Sequence, residues 1–180
     1  MKIFGIICEY NPFHNGHARQ LEFCRSNGAD LIFCAMSGDF TQRGEPAVLE
    51  KRIRAKHAVQ SGADLVAELP LPYAAAGAKD FAEGGVKLLE KMGCTHICFG
   101  SECGNISLLE KAAELIDSDS FNNSLKLHIK AGKSYPVSAE LAGEEYGGVL
   151  NAPNNILAVE YLRALKSCLL YTSDAADEAR

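Results

Sequence analysis

The chain has 180 residues, 47% apolar and 23% charged, with a formal net charge of −5. That suffices for one globular domain with a sizeable core, and it argues against a whole-surface attraction to nucleic acid, which draws on clustered Lys and Arg. No apolar run approaches the roughly 20 residues of a membrane span, and Met1-Lys2 leads into a short strand rather than a signal peptide, so a cytoplasmic protein is expected. The seven cysteines are an odd number. Cys8, Cys24, Cys34, Cys94 and Cys98 sit in apolar or helical patterns and are expected as reduced, mostly buried thiols, while Cys94, Cys98 and Cys103 miss the usual zinc spacings.

In chain order, Ile3 to Cys8 is an apolar run without polar alternation, which suits a strand buried on both faces of a parallel sheet. It ends at Glu9-Tyr10-Asn11-Pro12, where Pro12 can neither donate to a ladder nor leave Asn11 helical. A helix follows from Ala18 to about Ser26 and stops at Asn27-Gly28. His14 and His17, three apart, would project to one side of its first turn, beside free N–H groups and the positive end of the dipole, a geometry that suits a phosphate. Gly16 between them has no side chain to hold a nucleotide off the backbone. A second strand, Asp30 to Met36, completes a βαβ start, and the turn Ser37-Gly38-Asp39 then falls at the carboxyl edge, where open α/β sheets bind ligands. There Ser37, Gln42 and Arg43 are candidates for substrate or phosphate binding.

Ala47 to Gln60 reads as a helix with Val48, Ile53, Ala55, Ala58 and Val59 as an apolar stripe. The basic cluster Arg43, Lys51, Arg52, Arg54, Lys56 and His57 lies on and just before it, either a solvated face or a contact for a polyanion. Asp64 to Leu69 is a third strand cut off by Pro70 and Pro72, with Glu68 free to face the site, to pair with Arg43 or to take a structural partner. Tyr73 to Gly77 reads as loop and Lys79 to Met92 as a helix, despite Gly84-Gly85, which close packing would explain. Cys94 to Gly100 is a fourth strand with a glycine-bearing turn after it. The rest is helical: a segment from Ser107, one from Leu125 to Ala131, one from Tyr135 to about Tyr146, and one from Asn155 to Lys166 that Asn154 or Asn155 is placed to cap.

Three groups of residues go further than a bare His-x-Gly-His. The phrase Glu9-Tyr10-Asn11-Pro12-Phe13-His14-Asn15-Gly16-His17, the phrase Met36 to Ala47 (MSGDFTQRGEPA), and the shorter matches Asp64 to Pro70, Phe99-Gly100-Ser101-Glu102 and Pro153-Asn154-Asn155-Ile156-Leu157 together resemble the bacterial tRNA(Met) cytidine acetate ligase family. The resemblance covers Met1 to about Ser167. It implies an α/β, Rossmann-like parallel sheet of the nucleotidylyltransferase type, with helices on both faces and a helical carboxyl-terminal part. It also implies an ATP site made by Ile7, Cys8, Glu9, Tyr10, Asn11, Pro12, Phe13, His14, Asn15, Gly16, His17, Ala18, Arg19 and Gln20, joined by Gly100, Asn154 and Asn155, with His14 and His17 catalytic.

The activity so implied is ATP-dependent conversion of acetate to acetyl-adenylate and N4-acetylation of the wobble cytidine of elongator tRNA(Met). Mg²⁺ on the phosphates is compatible with this, although no carboxylate pair identifies its ligands. The alternatives are adenylation of a small metabolite, such as a phosphopantetheine precursor, and a non-catalytic nucleotide-binding fragment. Family members continue for about as long again, and tRNA contact is expected mostly from that further part. Residues 168–180, CLLYTSDAADEAR, depart from the family pattern; they are expected to be an unrelated tail to a domain of residues 1–167.

Overall fold

In the computed structural model, which describes residues 1–143, 146, 148–166 and 171–172, the chain folds around one parallel sheet. Its strands are β1 (Ile3–Cys8), β2 (Leu31–Ser37), β3 (Leu65–Leu69), β4 (His96–Ile97) and β5 (Tyr171–Thr172), in the spatial order β3-β2-β1-β4-β5. The apolar runs of the first two strands pair in register, Ile3 with Leu31 through Cys8 with Met36. β3 is the edge next to β2, which explains why Leu65 and Glu68 are exposed. β4 is shorter than Cys94 to Gly100. Even so, the Thr95 N–H donates to the Ile3 carbonyl (2.8 Å) and the Cys98 N–H to that of Gly5 (2.9 Å), so the chain runs beside β1 beyond the two strand residues.

Helices cover both faces. α1 (Asn15–Ser26) and α2 (Lys51–Gln60) lie on the face where Phe4, Ile6, Ile32, Cys34 and Met36 pack with Leu21, Cys24 and Ala58. Burying a residue such as Leu21 contributes about 1.5–3 kcal/mol. The other face, with Ile3, Ala35 and Leu69, is covered by α4 (Ala78–Lys91), α5 (Ile106–Ile116) and α8 (Pro153–Leu165) through Phe81, Val86, Leu89, Leu109 and Val159. α4 approaches closely because of its glycines: a Cβ on Gly85 would meet Ile7 Cδ1 at 2.6 Å, and one on Gly84 would collide with the Tyr73 side chain. A short α3 (Leu71–Ala74) supplies that tyrosine where the sequence reads as loop. α6 (Asp119–Lys130) and α7 (Tyr135–Ala142) extend the helical part, α6 starting earlier than Leu125 because the Ser118 hydroxyl caps it by accepting from the Phe121 N–H.

Two readings of the sequence change. Of the apolar stripe, Val48, Ile53 and Val59 are exposed, while Ala58 is buried and Ala55 packs beside it, and α2 also buries Arg54. Neither Asn154 nor Asn155 caps α8, whose N-cap is Ala152, with Pro153 in its first turn. Of residues 168–180 only Tyr171–Thr172 are described, as β5 beside β4; the others lie outside the described residues, as do Glu144, Glu145 and Gly147. Among the described residues no helix is long and apolar enough to cross a membrane.

Candidate active site

β1 sends its chain to α1 on one side and β4 sends its chain to the helices on the other, so the carboxyl ends of these neighbouring strands diverge. Such a switch point is where an open α/β sheet makes a crevice. A cleft of about 840 Å³ lies there, walled by the turn after β1, the first turns of α1, residues 41–45, the chain after β4 and the start of α8. Its volume is in the range of small-molecule sites.

The α1 wall is built by the two histidines. His14 is the N-cap, with extended backbone (φ −142°), and its Nδ1 accepts from the Gly16 N–H at 3.1 Å, while His17 Nδ1 accepts from the His14 N–H at 3.3 Å. This is a capping box with histidine in both roles, where Ser/Thr and Glu are usual. It changes the expected chemistry in one respect: the N–H groups of His14 and Gly16 are taken by ring nitrogens rather than free for a phosphate. A ring whose Nδ1 accepts carries its proton on Nε2, so each histidine offers an Nε2–H donor, and both rings line the cleft. The rings stack at 3.7 Å. Burial, with a smaller contribution from His14, lowers the His17 pKa to about 4, so its ring is neutral near pH 7.

Beneath His17 lies Tyr10, its ring 4.8 Å away and fully buried, with Phe13 edge-on to it at 4.9 Å. Tyr10 adopts φ +48°, a conformation that is rare for a bulky residue and costs on the order of 1–3 kcal/mol. Nothing in the sequence marks this residue as left-handed. Its hydroxyl meets the Cys34 thiol at 3.5 Å, and burial raises the Tyr10 pKa. Cys8, Cys24, Cys34, Cys94, Cys98 and Cys103 are free thiols, all buried except the half-buried Cys8 and Cys103.

Residues 37–50 form a ribbon folded against the cleft. Within it the Thr41 N–H donates to the Glu45 carbonyl (2.9 Å) and Phe40 bridges to Pro46. Two candidates from the first turn fasten it: Glu9 Oε1 accepts from the Gln42 N–H at 2.6 Å, and Asn11 Oδ1 accepts from the Val48 N–H at 2.7 Å. Gln42 and Arg43 line the cleft, Arg43 exposed, whereas Ser37 is buried at the end of β2 with a hydroxyl that finds no hydrogen-bond partner among the described residues. Glu68 pairs with Lys51 at 2.8 Å, not with Arg43, and Lys51 also holds Asp39 at 3.2 Å. With Lys51 so engaged and Arg54 fully buried, the basic cluster on α2 is not one solvated face.

The opposite wall is assembled over long sequence distance. Gly100, Ser101, Pro153 and Asn154 line the cleft, and Glu102 joins their two segments. Its Oε1 accepts from the backbone N–H and side-chain amide of Asn154, both at 3.0 Å, and its Oε2 accepts from the Asn155 N–H at 2.7 Å. Asn155 is buried and uses Oδ1 to accept from the Cys103 N–H at 3.1 Å. A carboxylate from the turn after β4 therefore does the capping expected of Asn154 or Asn155, favourably placed at a helix N-terminus.

Ile7, Cys8, Glu9, Tyr10, Asn11, Pro12, His14, Gly16, His17, Arg19, Gln20, Gly100 and Asn154 line the cleft. Phe13, Asn15, Ala18, Ser37 and Asn155 do not. Gln20 also ties α1 to β4, its amide donating to the Cys98 carbonyl at 3.2 Å. The lining also takes Phe99 and Leu157 from two of the shorter phrases, together with Phe81 and Tyr161, helix residues whose approach no motif announces.

The strand order, a parallel sheet opening between β1 and β4, and a pair of histidines three apart at the first helix define a nucleotidyltransferase architecture. Residues 1–170 match the family described as HIGH Nucleotidyl Transferase, and the chain belongs to that family. Within it the chain is similar to proteins named tRNA(Met) cytidine acetate ligase. One from Acetivibrio thermocellus is 45% identical over 92% of this chain, and one from Syntrophotalea carbinolica is 44% identical over 93%. The chain spans 43% and 42% of their respective lengths. Among solved structures, Thermotoga maritima TmcAL bound with alpha-thio ATP superposes with a TM-score of 0.88 at 36% identity, covering 96% of this chain and 45% of that one.

Proposed function

We propose that this chain binds ATP in the cleft and activates acetate as acetyl-adenylate, the first half of an N4-acetylation of the wobble cytidine of elongator tRNA(Met). The observation that carries the reading is the histidine pair. Two stacked rings, each with Nδ1 committed to the backbone, leave two Nε2–H donors on one wall of the cleft, and a triphosphate is a ligand whose oxygens need such donors. The nucleotide bound to the Thermotoga maritima protein supports the choice of ATP, and the relatives' names support acetate and tRNA(Met).

In the chemical step an acetate oxygen attacks the α-phosphorus, a new P–O bond forms, and the bond to the β,γ-pyrophosphate breaks. Charge builds on the equatorial oxygens of the five-coordinate phosphorus, where a preorganised neutral donor such as His17 Nε2–H acts without reorganising. In the second step the N4 amine attacks the acyl carbon and AMP leaves. The apolar floor of Phe81, Phe99, Leu157 and Tyr161 limits water, which would otherwise hydrolyse the mixed anhydride.

Among the described residues no three His, Cys, Asp or Glu gather to hold a metal by themselves, so a Mg²⁺ in the cleft would be held chiefly by the phosphates. Recognition of tRNA is assigned to the longer protein, since the relatives extend well beyond the span this chain matches and α2 presents no continuous basic face.

The test is ATP–pyrophosphate exchange by this chain, measured with acetate, other short acids and pantetheine compounds. Exchange that depends on acetate, and that falls on the order of a hundredfold or more in His17→Ala, is the expected result. Exchange supported by a pantetheine compound but not by acetate would move the reading to metabolite adenylation.

A further inference from the structure

Among the described residues Arg54 is the largest fully buried side chain, and it forms no ion pair. Its guanidinium is met only by backbone carbonyls: Nε donates to Leu49 (2.9 Å), Nη1 to Glu9 and Ser37 (3.2 Å for the latter), and Nη2 to Gly38. These carbonyls come from three segments: the turn after β1, the end of β2 with its turn, and the stretch just before the N-cap of α2. The nearby acids have other partners, Asp39 and Glu68 sharing Lys51 and Glu9 Oε1 holding the Gln42 N–H.

A buried charge is costly unless its donors are satisfied, and removing one side of such a set leaves the other unpaired. Arg54 therefore fixes the spacing of the two turns that carry Glu9, Tyr10, Gln42 and Arg43 to the cleft. Its second effect is electrostatic. Four carbonyl oxygens are drawn inward to the guanidinium, and its positive charge stands behind the turns where a polyanion would bind, touching no carboxylate among the described residues although Glu9, Asp39 and Glu68 stabilise it at longer range.

We propose that Arg54 is the positioning residue of the nucleotide cleft: it staples the turns after β1 and β2 through their carbonyls and favours the phosphates over the nucleoside. The inference rests on the ATP-binding reading. Arg54 itself does not line the cleft, so it acts through the turns and through its charge.

Calorimetric titration of ATP and of adenosine into the wild-type chain, Arg54→Lys and Arg54→Met tests it. The ATP affinity should fall roughly tenfold or more in Arg54→Met, while adenosine affinity changes much less; Arg54→Lys, which keeps the charge but not the planar fork, should recover part of the ATP preference. A purely structural role would lower both affinities in parallel or only the melting temperature, and either result overturns the proposal. If Arg54→Met does not fold, hydrogen exchange of the Arg54 Nε–H in the wild-type chain decides: ATP should slow it and adenosine should not, and equal or absent slowing overturns the proposal. A wild-type chain that binds no ATP removes the functional reading and this inference together. A wild-type chain that binds ATP, with an unchanged ATP-to-adenosine ratio in Arg54→Lys and Arg54→Met, removes this inference alone.

Discussion

The two walls of the cleft are built by opposite strategies. On the α1 wall, residues 10–20 contain almost everything: the left-handed Tyr10, the aromatic bed, and the two histidines that cap their own helix. On the α8 wall, one carboxylate, Glu102, holds segments 52 and 53 residues apart. The first wall is specified locally and is set once β1 and α1 form. The second exists only after α8 has packed on α4 and α5, so a change there propagates through helix docking rather than through ring geometry.

The sharpest way to break that contrast is Gly16→Val. A Cβ at Gly16 would lie 2.9 Å from His14 Cε1 and 3.1 Å from its Nδ1, so branching carbons displace the ring that caps the helix. The obstacle is this ring and not an unusual backbone dihedral, since Gly16 is not among the residues with positive φ. ATP affinity by calorimetry should fall below detection while adenosine, which needs no phosphate donor, still binds. Unchanged ATP affinity would take Gly16 and the histidine cap out of the site.

A smaller effect belongs to Glu102→Ala. Losing an N-terminal cap costs about 1 kcal/mol, which lowers the melting temperature of a domain this size by about 2–4 °C. Because Asn154 and Gly100 then lose their common anchor, adenosine and ATP should weaken in equal proportion, the opposite of the pattern in Gly16→Val. Selective loss of ATP would show that the two walls are not separable.

How much of this was legible in the sequence follows the same division. The apolar run Ile3 to Cys8, the turn at Asn11-Pro12 and the spacing of His14 and His17 are local signals, and they point to the parallel sheet and to the α1 wall at its carboxyl edge. Gly84-Gly85 suggested close packing, and Ile7 and Tyr73 are what they pack against. Arg54 was read as part of a basic cluster because periodicity records charge and not burial; only the carbonyls of Glu9, Ser37, Gly38 and Leu49 turn it inward. Glu102 stood in the phrase Phe99 to Glu102 without a role, since its partners lie beyond the reach of any helical or strand period. The Glu68 to Arg43 pairing was one of several options, and the geometry of α2 gave Glu68 to Lys51 instead.

The α1 wall also carries a pH dependence, and its sign follows from His17. An unfolded histidine titrates near 6.5, whereas burial against Tyr10 and Phe13, helped by His14, holds the folded ring to about 4. The unfolded chain therefore takes up a proton that the folded one refuses, and the stability tied to this neutral ring is complete above pH 6.5 and declines as pH falls from 6.5 toward 4. Other groups titrate in the same window, so the wild-type stability curve is compared with that of His17→Asn, and the difference between them should shrink over that interval. In NMR titration the His17 ring should show a midpoint near 4 in the free chain. A triphosphate beside Nε2 favours the charged form, so a non-hydrolysable ATP analogue should raise that midpoint while adenosine leaves it in place. A free-chain midpoint near 6.5 would mean that the ring is solvated rather than seated on Tyr10, and the neutral-donor role of His17 would go with it.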